Sequence, residues 1–114
     1  MQVQGALGDP GRIHQEGMTS RALLENAREQ VATMIGARQR EIVFTSGATE
    51  SIAAATWGAV RRSTESGHSP RIVHAAVEHS AVRRSSQLFT SAAGGSVTII
   101  GVDHDGRIDG EAFI

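Results

Sequence analysis

The sequence predicts an α/β fold: a three-layer α-β-α arrangement with a partial parallel sheet. Three observations predict it. Short β-branched runs alternate with longer stretches of helical period. The last of these runs, residues 96–102, is almost unbroken in apolar character, as a strand buried on both faces would be. Glycines stand at the joints between runs, at Gly36, Gly47, Gly94 and Gly95.

The elements follow in order. Residues 1–17 carry four glycines and Pro10, which suits an irregular arm. Thr19 or Ser20 suits the cap of a helix running to about Ile35. Its apolar stripe is Leu23, Leu24, Ala27, Val31, Met34 and Ile35, and Gly36 takes the left-handed position after it. Residues 41–46 read as a first strand, broken by Gly47. A helix over residues 49–62 turns Ile52, Ala55, Ala59 and Val60 inward. After a polar loop at 65–70, residues 71–76 form a second strand. Residues 79–91 form a helix with apolar contacts at Val82, Leu88 and Phe89, and residues 96–102 a third strand. Asp103-His104-Asp105-Gly106 is a turn, and another helix starts at Asp109 or Gly110. Three strands with two open edges suit a piece of a larger α/β domain better than a finished one.

Composition excludes several classes. The 114 residues contain no cysteine, so disulfides and thiolate sites are ruled out within them. A net charge of -1 sets up no field for nucleic acid or membrane, and Arg61-Arg62 and Arg83-Arg84 read as solvated helix faces. No apolar run approaches the roughly 18 residues of a membrane span. No signal peptide pattern opens the chain, so a cytoplasmic location is expected. All eleven basic residues are arginine, so no lysine side chain is present to form a Schiff base.

Two places could carry chemistry. Ser46-Gly47-Ala48-Thr49 lies between the carboxyl end of a strand and a helix start. Ligands of open α/β sheets bind at that edge, and a helix N-terminus offers free N–H groups and partial positive charge to a phosphate. The hydroxyls of Ser46 and Thr49 could add hydrogen bonds. Glu50 must point away from such an anion or be paired. The same spacing also suits a plain turn capped by Thr49 or Ser46. The second place is Glu78-His79-Ser80-Ala81-Val82. There His79 could stack on a planar ring or exchange a proton, or simply face water at a helix start. His14, His68 and His104 fall in the arm, a loop and a turn, while His74 suits a satisfied core position; no metal site is expected. Trp57, Met18 and Met34 read as packing residues.

The run from Glu41 through Thr45-Ser46-Gly47-Ala48-Thr49-Glu50-Ser51 resembles the cysteine desulfurases, within the class V aminotransferases. So do Gly8-Asp9-Pro10 with His14-Gln15-Glu16-Gly17, Glu78-His79 with Ala81-Val82, and Val102-Asp103 through Asp109. The resemblance covers nearly the whole chain in order. It implies the large domain of a fold-type-I enzyme dependent on pyridoxal 5'-phosphate, with residues 1–17 an arm on the small-domain side and 18–114 the N-terminal part of the large domain. It implies that Gly47, Ala48 and Thr49 hold the cofactor phosphate and that His79 stacks on the ring. It further implies L-cysteine as substrate, L-alanine as product, sulfur passed to an acceptor protein for iron–sulfur cluster assembly or thiolation, and a homodimer.

Asp9, Gly11 and Arg12 stand where the family usually has Asn, Ser and Ser, and Ala53 where it has Asn. These departures bear on subfamily and substrate. The family's cofactor-binding lysine, sulfur-receiving cysteine and ring-pairing aspartate lie further along than this chain reaches. The chain therefore reads as an N-terminal fragment, expected to be inactive alone. Other class V aminotransferases, selenocysteine lyases and a non-catalytic phosphate-binding or interaction module stay open as alternatives.

Overall fold

The structure, a computed structural model, describes residues 8–108 and 110. The chain divides into two compact units, residues 1–44 and 45–114. The helix expected from Asp109 or Gly110 falls mostly on residues outside those described.

The first unit is built on α1, Gln15–Ile35. It starts earlier than Thr19 or Ser20 because His14 caps it: the Nδ1 of His14 accepts from the Gly17 N–H at 3.2 Å. Ahead of it the chain turns tightly. Asp9 Oδ1 accepts from the Gly11 N–H at 2.9 Å, and the Arg12 N–H donates to the Asp9 carbonyl at 3.0 Å. Asp9 thus does here what asparagine would do, because the turn needs only a side-chain oxygen. This turn lies against Gly17, where a Cβ would stand 2.6 Å from the carbonyl oxygens of both Asp9 and Arg12.

The helix ends as its sequence predicts. Gly36 is left-handed at φ 69°, its N–H donates to Thr33, and the Ala37 N–H reaches the Ala32 carbonyl at 2.9 Å. The expected apolar stripe is not what α1 buries. Gly17, Ser20 and Ala32 are buried, while Met34 is 78% and Ile35 61% exposed.

The expected strand at 41–46 does not form. A 3-10 turn, Gln39–Glu41, comes first, and residues 42–45 join no ladder. The backbone there is held by side chains instead. The Arg28 guanidinium donates to the Ile42 carbonyl and lies 5.2 Å over the Phe44 ring. β-branched residues fit a pleated surface but do not supply the neighbouring strand, and none pairs with this segment among the described residues.

The second unit contains α2 (Ala48–Glu65), β1 (Arg71–Ala75), α3 (Ser80–Ala92) and β2 (Ser96–Ile100). Strands β1 and β2 pair in parallel, Arg71 opposite Ser96 through Ala75 opposite Ile100, with α3 as the crossover. The expected α/β character with a parallel sheet is present, in two strands rather than three among the described residues. The expected turn at 103–106 is present, its Asp103 side chain accepting from the Asp105 and Arg107 N–H groups at 2.9 Å.

Helix α3 packs through small residues rather than the expected large ones. Ala81, Ser85, Ser86 and Thr90 are its buried face, while Leu88 is 64% exposed and Val82 and Phe89 are half-buried. Their spacing places them on one side of the helix. On α2, Val60 is buried and Ile52 half-buried; Ala55 and Ala59 are exposed. Trp57, expected to pack, is half exposed with the Arg61 guanidinium 5.3 Å over its ring. The buried apolar residues are few and mostly small: Ala32, Val60, Ala75, Ala81 and Ile100. Val60 and Ile100 are the larger of these, worth about 1.5–3 kcal/mol apiece, and half-buried Ile52, Ile72, Val82, Phe89 and Val97 add to them.

The close fit at the far end of α3 depends on Gly95. A Cβ there would stand 2.1 Å from the Pro70 carbonyl oxygen and 2.8 Å from Thr90 Cγ2. That same carbonyl accepts from the Ser96 N–H at 3.0 Å, where the β1–β2 ladder begins.

Candidate functional site

Gly47 is the N-cap of α2, extended at φ 163° and ψ 177°. Having no side chain, it makes no cap hydrogen bond. Its carbonyl accepts from the Ser51 N–H at 3.1 Å, the first bond of the helix. The N–H groups of Ala48, Thr49 and Glu50 come before that bond and have no hydrogen-bond partner among the described residues. All three residues are exposed, and a Cβ built on Gly47 would meet nothing within 4 Å. The turn therefore offers open space, free donors and the positive end of an 18-residue helix. These are the features a phosphate group needs, so the residues fit that ligand.

The side chains of the turn are committed differently from the sequence expectation. The Ser46 hydroxyl donates to Glu50 Oε2 at 2.6 Å, and the Ser46 N–H donates to the same oxygen at 2.7 Å. Ser46 is thus paired within the chain, and Glu50 is paired as its position required. This resembles a capping box moved one residue outward. The two bonds, hydroxyl first, hold the Glu50 carboxyl below the ordinary carboxylate value. A second brace, which sequence reasoning did not find, joins Thr45 Oγ1 and Ser51 Oγ at 2.7 Å; Thr45 Oγ1 also donates to the Gly47 carbonyl at 3.2 Å. The Thr49 hydroxyl has no partner among the described residues.

His79 occupies the equivalent place on α3. It is the N-cap, exposed, and its Nδ1 accepts from the Ala81 N–H at 3.1 Å. An accepting Nδ1 puts the proton of the neutral ring on Nε2, which is left free to donate. Its position at a helix start just past β1 is as expected, and facing water there is the plain alternative the sequence offers; the capping duty was not foreseen.

Connectivity relates the two caps. The crossover helix α3 leaves the carboxyl end of β1 and returns to the start of β2, so its N-terminus lies at the carboxyl edge of the sheet. Helix α2 packs on α3 and enters β1 after a short connection, which puts its N-terminus at the same edge. No hydrogen bond joins Gly47, Ala48 or Thr49 to His79 among the described residues. Topology thus puts both helix starts at the same edge of the sheet.

The other histidines are elsewhere. His74 is buried on β1, its Nδ1 2.9 Å from the Ala75 carbonyl, as expected for a satisfied core residue. His14 caps α1, and His68 and His104 are exposed. Among the described residues no three His, Asp or Glu side chains converge as metal ligands, and no helix is long and apolar enough to cross a membrane. Arg61, Arg62, Arg83 and Arg84 are exposed, as expected of solvated faces.

The chain is similar to known proteins over most of its length. The profile of the family described as aminotransferase class-V matches residues 4–114. The chain is 43% identical over 103 residues to a mitosomal cysteine desulfurase of Trachipleistophora hominis, covering 90% of this chain and 23% of that protein. It is 41% identical over 103 residues to the cysteine desulfurase IscS of Dictyoglomus turgidum, covering 90% of this chain and 25% of that protein. It is 38% identical over 113 residues to an IscS-like cysteine desulfurase of Mycobacterium tuberculosis, covering 97% and 28%. The chain spans about a quarter of the length of these curated relatives.

Proposed function

The chain belongs to the class V aminotransferase family, and from that premise we propose that it is the N-terminal part of a cysteine desulfurase that uses pyridoxal 5'-phosphate. The whole enzyme would convert L-cysteine to L-alanine and pass the sulfur to an acceptor protein for cluster assembly or thiolation. In this reading residues 1–17 form the arm and 18–114 begin the large domain of a three-layer, fold-type-I homodimer.

The observation that carries the reading is the open start of α2, where three free N–H groups follow Gly47. The N–H groups of Ala48 and Thr49 would bind the phosphate, joined by the Thr49 hydroxyl, while Gly47 keeps the approach clear. His79 would lie against the ring. Its cap bond to Ala81 fixes the imidazole and presents Nε2 for holding or moving a proton. The cofactor, when bound, supplies the electron sink for bond cleavage at the amino acid. With no lysine and no cysteine among the 114 residues, this chain holds the anchor and the stacking group. The covalent attachment and the sulfur-receiving thiol belong to other parts of the enzyme.

A titration of the 114-residue chain with pyridoxal phosphate, competed by inorganic phosphate, tests the anchor. Gly47→Val should weaken binding at least about tenfold, the worth of one hydrogen bond to a charged group. Undiminished binding would remove the phosphate assignment. Alanine formation from L-cysteine by this chain alone, above a protein-free control, would overturn its expected inactivity. One observation favours a second reading. The free N–H groups at the start of α2 would serve a phosphate ligand whether or not chemistry follows. A non-catalytic module would bind the same ligand reversibly and never turn over.

A further inference from the structure

We propose that Glu50 is a positioning residue that shapes the Gly47 turn through Ser46 and whose charge limits how tightly the turn takes an anion. The proposal rests on the phosphate reading of Gly47, Ala48 and Thr49.

Two features carry it. Glu50 Oε2 takes both donors of Ser46, at 2.6 and 2.7 Å. That pair fixes the residue before the cap and withdraws the Ser46 hydroxyl from any ligand. The donor set for an anion is thereby narrowed to backbone N–H groups and the Thr49 hydroxyl. Glu50 also sits in the first turn of α2, in the same turn as those donors. A carboxylate there suits the helix dipole but repels a phosphate arriving at the same end. Glu50 is exposed, so water weakens the repulsion without abolishing it. The residue thus acts in two opposed directions. Its oxygen organises the turn, and its charge lowers the affinity of what it organises. The Thr45–Ser51 pair is an uncharged brace of the same turn, and Glu50 is the one charged side chain among residues 45–51.

Glu50→Gln separates the two effects, since an amide oxygen still accepts from Ser46 while the charge is gone. Glu50→Ala removes both. The 114-residue chain and the two variants are titrated with pyridoxal phosphate, at low and high salt, with inorganic phosphate as competitor. Glu50→Gln should bind about threefold to tenfold tighter than the parent at low salt. The gap should close at high salt, and Glu50→Ala should bind more weakly than Glu50→Gln. A purely structural role would not give a tighter, salt-sensitive Gln variant. If inorganic phosphate competes and Gly47→Val weakens binding, but Glu50→Gln binds no tighter than the parent, the proposal fails and the phosphate site stands. If inorganic phosphate does not compete and Gly47→Val binds unchanged, both fail together.

Discussion

Gly95 and Pro70 approach so closely that a Cβ on the glycine would stand 2.1 Å from the proline carbonyl oxygen. That oxygen also receives the Ser96 N–H at the start of the β1–β2 ladder. Backbone, not a flexible side-chain end, must move to admit a methyl group. Gly95→Ala is expected to cost about 3 kcal/mol, at the upper end of overpacking effects. Gly101→Ala, where nothing lies within 4 Å, is the control. Urea unfolding of the two variants checks this; equal midpoints would contradict it.

Gly58 presents the opposite case. It lies inside α2, and a Cβ there would meet nothing within 4 Å. Gly58→Ala should stabilise the chain by about 0.5–1 kcal/mol, because alanine loses less backbone freedom on entering a helix. A thermal melt that shifts downward would mean that a neighbour uses this surface.

Thr90 is wholly buried, and its hydroxyl finds no partner among the described residues. Thr90→Val keeps the shape and removes the unpaired group. Stability should rise by about 1 kcal/mol, the lower end of the penalty for a buried unpaired polar group. A loss of stability on the same measurement would show that the hydroxyl is hydrogen-bonded in solution.

His79 has a structural duty and a proposed chemical one, and substitutions separate them. His79→Ala loses the bond from the Ala81 N–H and should cost about 1 kcal/mol. His79→Asn restores a cap and should restore the melting temperature. It lacks the ring, so its affinity for pyridoxal phosphate should stay about threefold to tenfold below the parent's. Recovery of both properties in His79→Asn would remove the stacking role.

Two carboxylates set an acid-side trend. Glu41 is held below the ordinary value of 4.5 by the Arg38 side chain and then its N–H, and Glu50 by the Ser46 hydroxyl and then its N–H. In the unfolded chain both protonate nearer 4.5, so below that pH the unfolded state binds more protons. Their contribution is complete above the unfolded value and is lost as pH falls through the lower folded values. Urea midpoints measured from pH 6 downward should therefore fall below about pH 4.5. The fall should be shallower in the Glu41→Gln, Glu50→Gln double variant. Identical acid limbs would show that neither contact persists in solution.

Much of this fold is legible in the sequence, for identifiable reasons. The end of α1 is legible because Gly36 is the residue that a left-handed cap favours. Its start is not, because His14 caps it and histidine is outside the usual capping set. Residues 42–45 have strand composition, but pairing is a property of a neighbour and not of the segment. The buried face of α3 is hidden because Ser85, Ser86 and Thr90 read as polar, yet their small size is what lets them pack. At the candidate site, the place of His79 follows from the alternation of strands and helices; Gly47 is legible as a helix start, although the strand expected before it does not form. The conflict at Glu50 is also visible in the sequence, since a carboxylate there has to be paired. Its partner is visible only in three dimensions, because Ser46 looks equally able to serve a ligand.

Helix α3 is a short rigid rod, 13 residues long and so about 20 Å from end to end. The Gly95–Pro70 contact pins one tip, and the other tip carries the His79 imidazole. That tip is held as well, by the Ala81 cap bond and by the Glu78 N–H donating to the Ala75 carbonyl at 3.3 Å. The imidazole is therefore placed by its own cap and by the end of β1, while strain at Gly95 falls first on the start of the β1–β2 ladder.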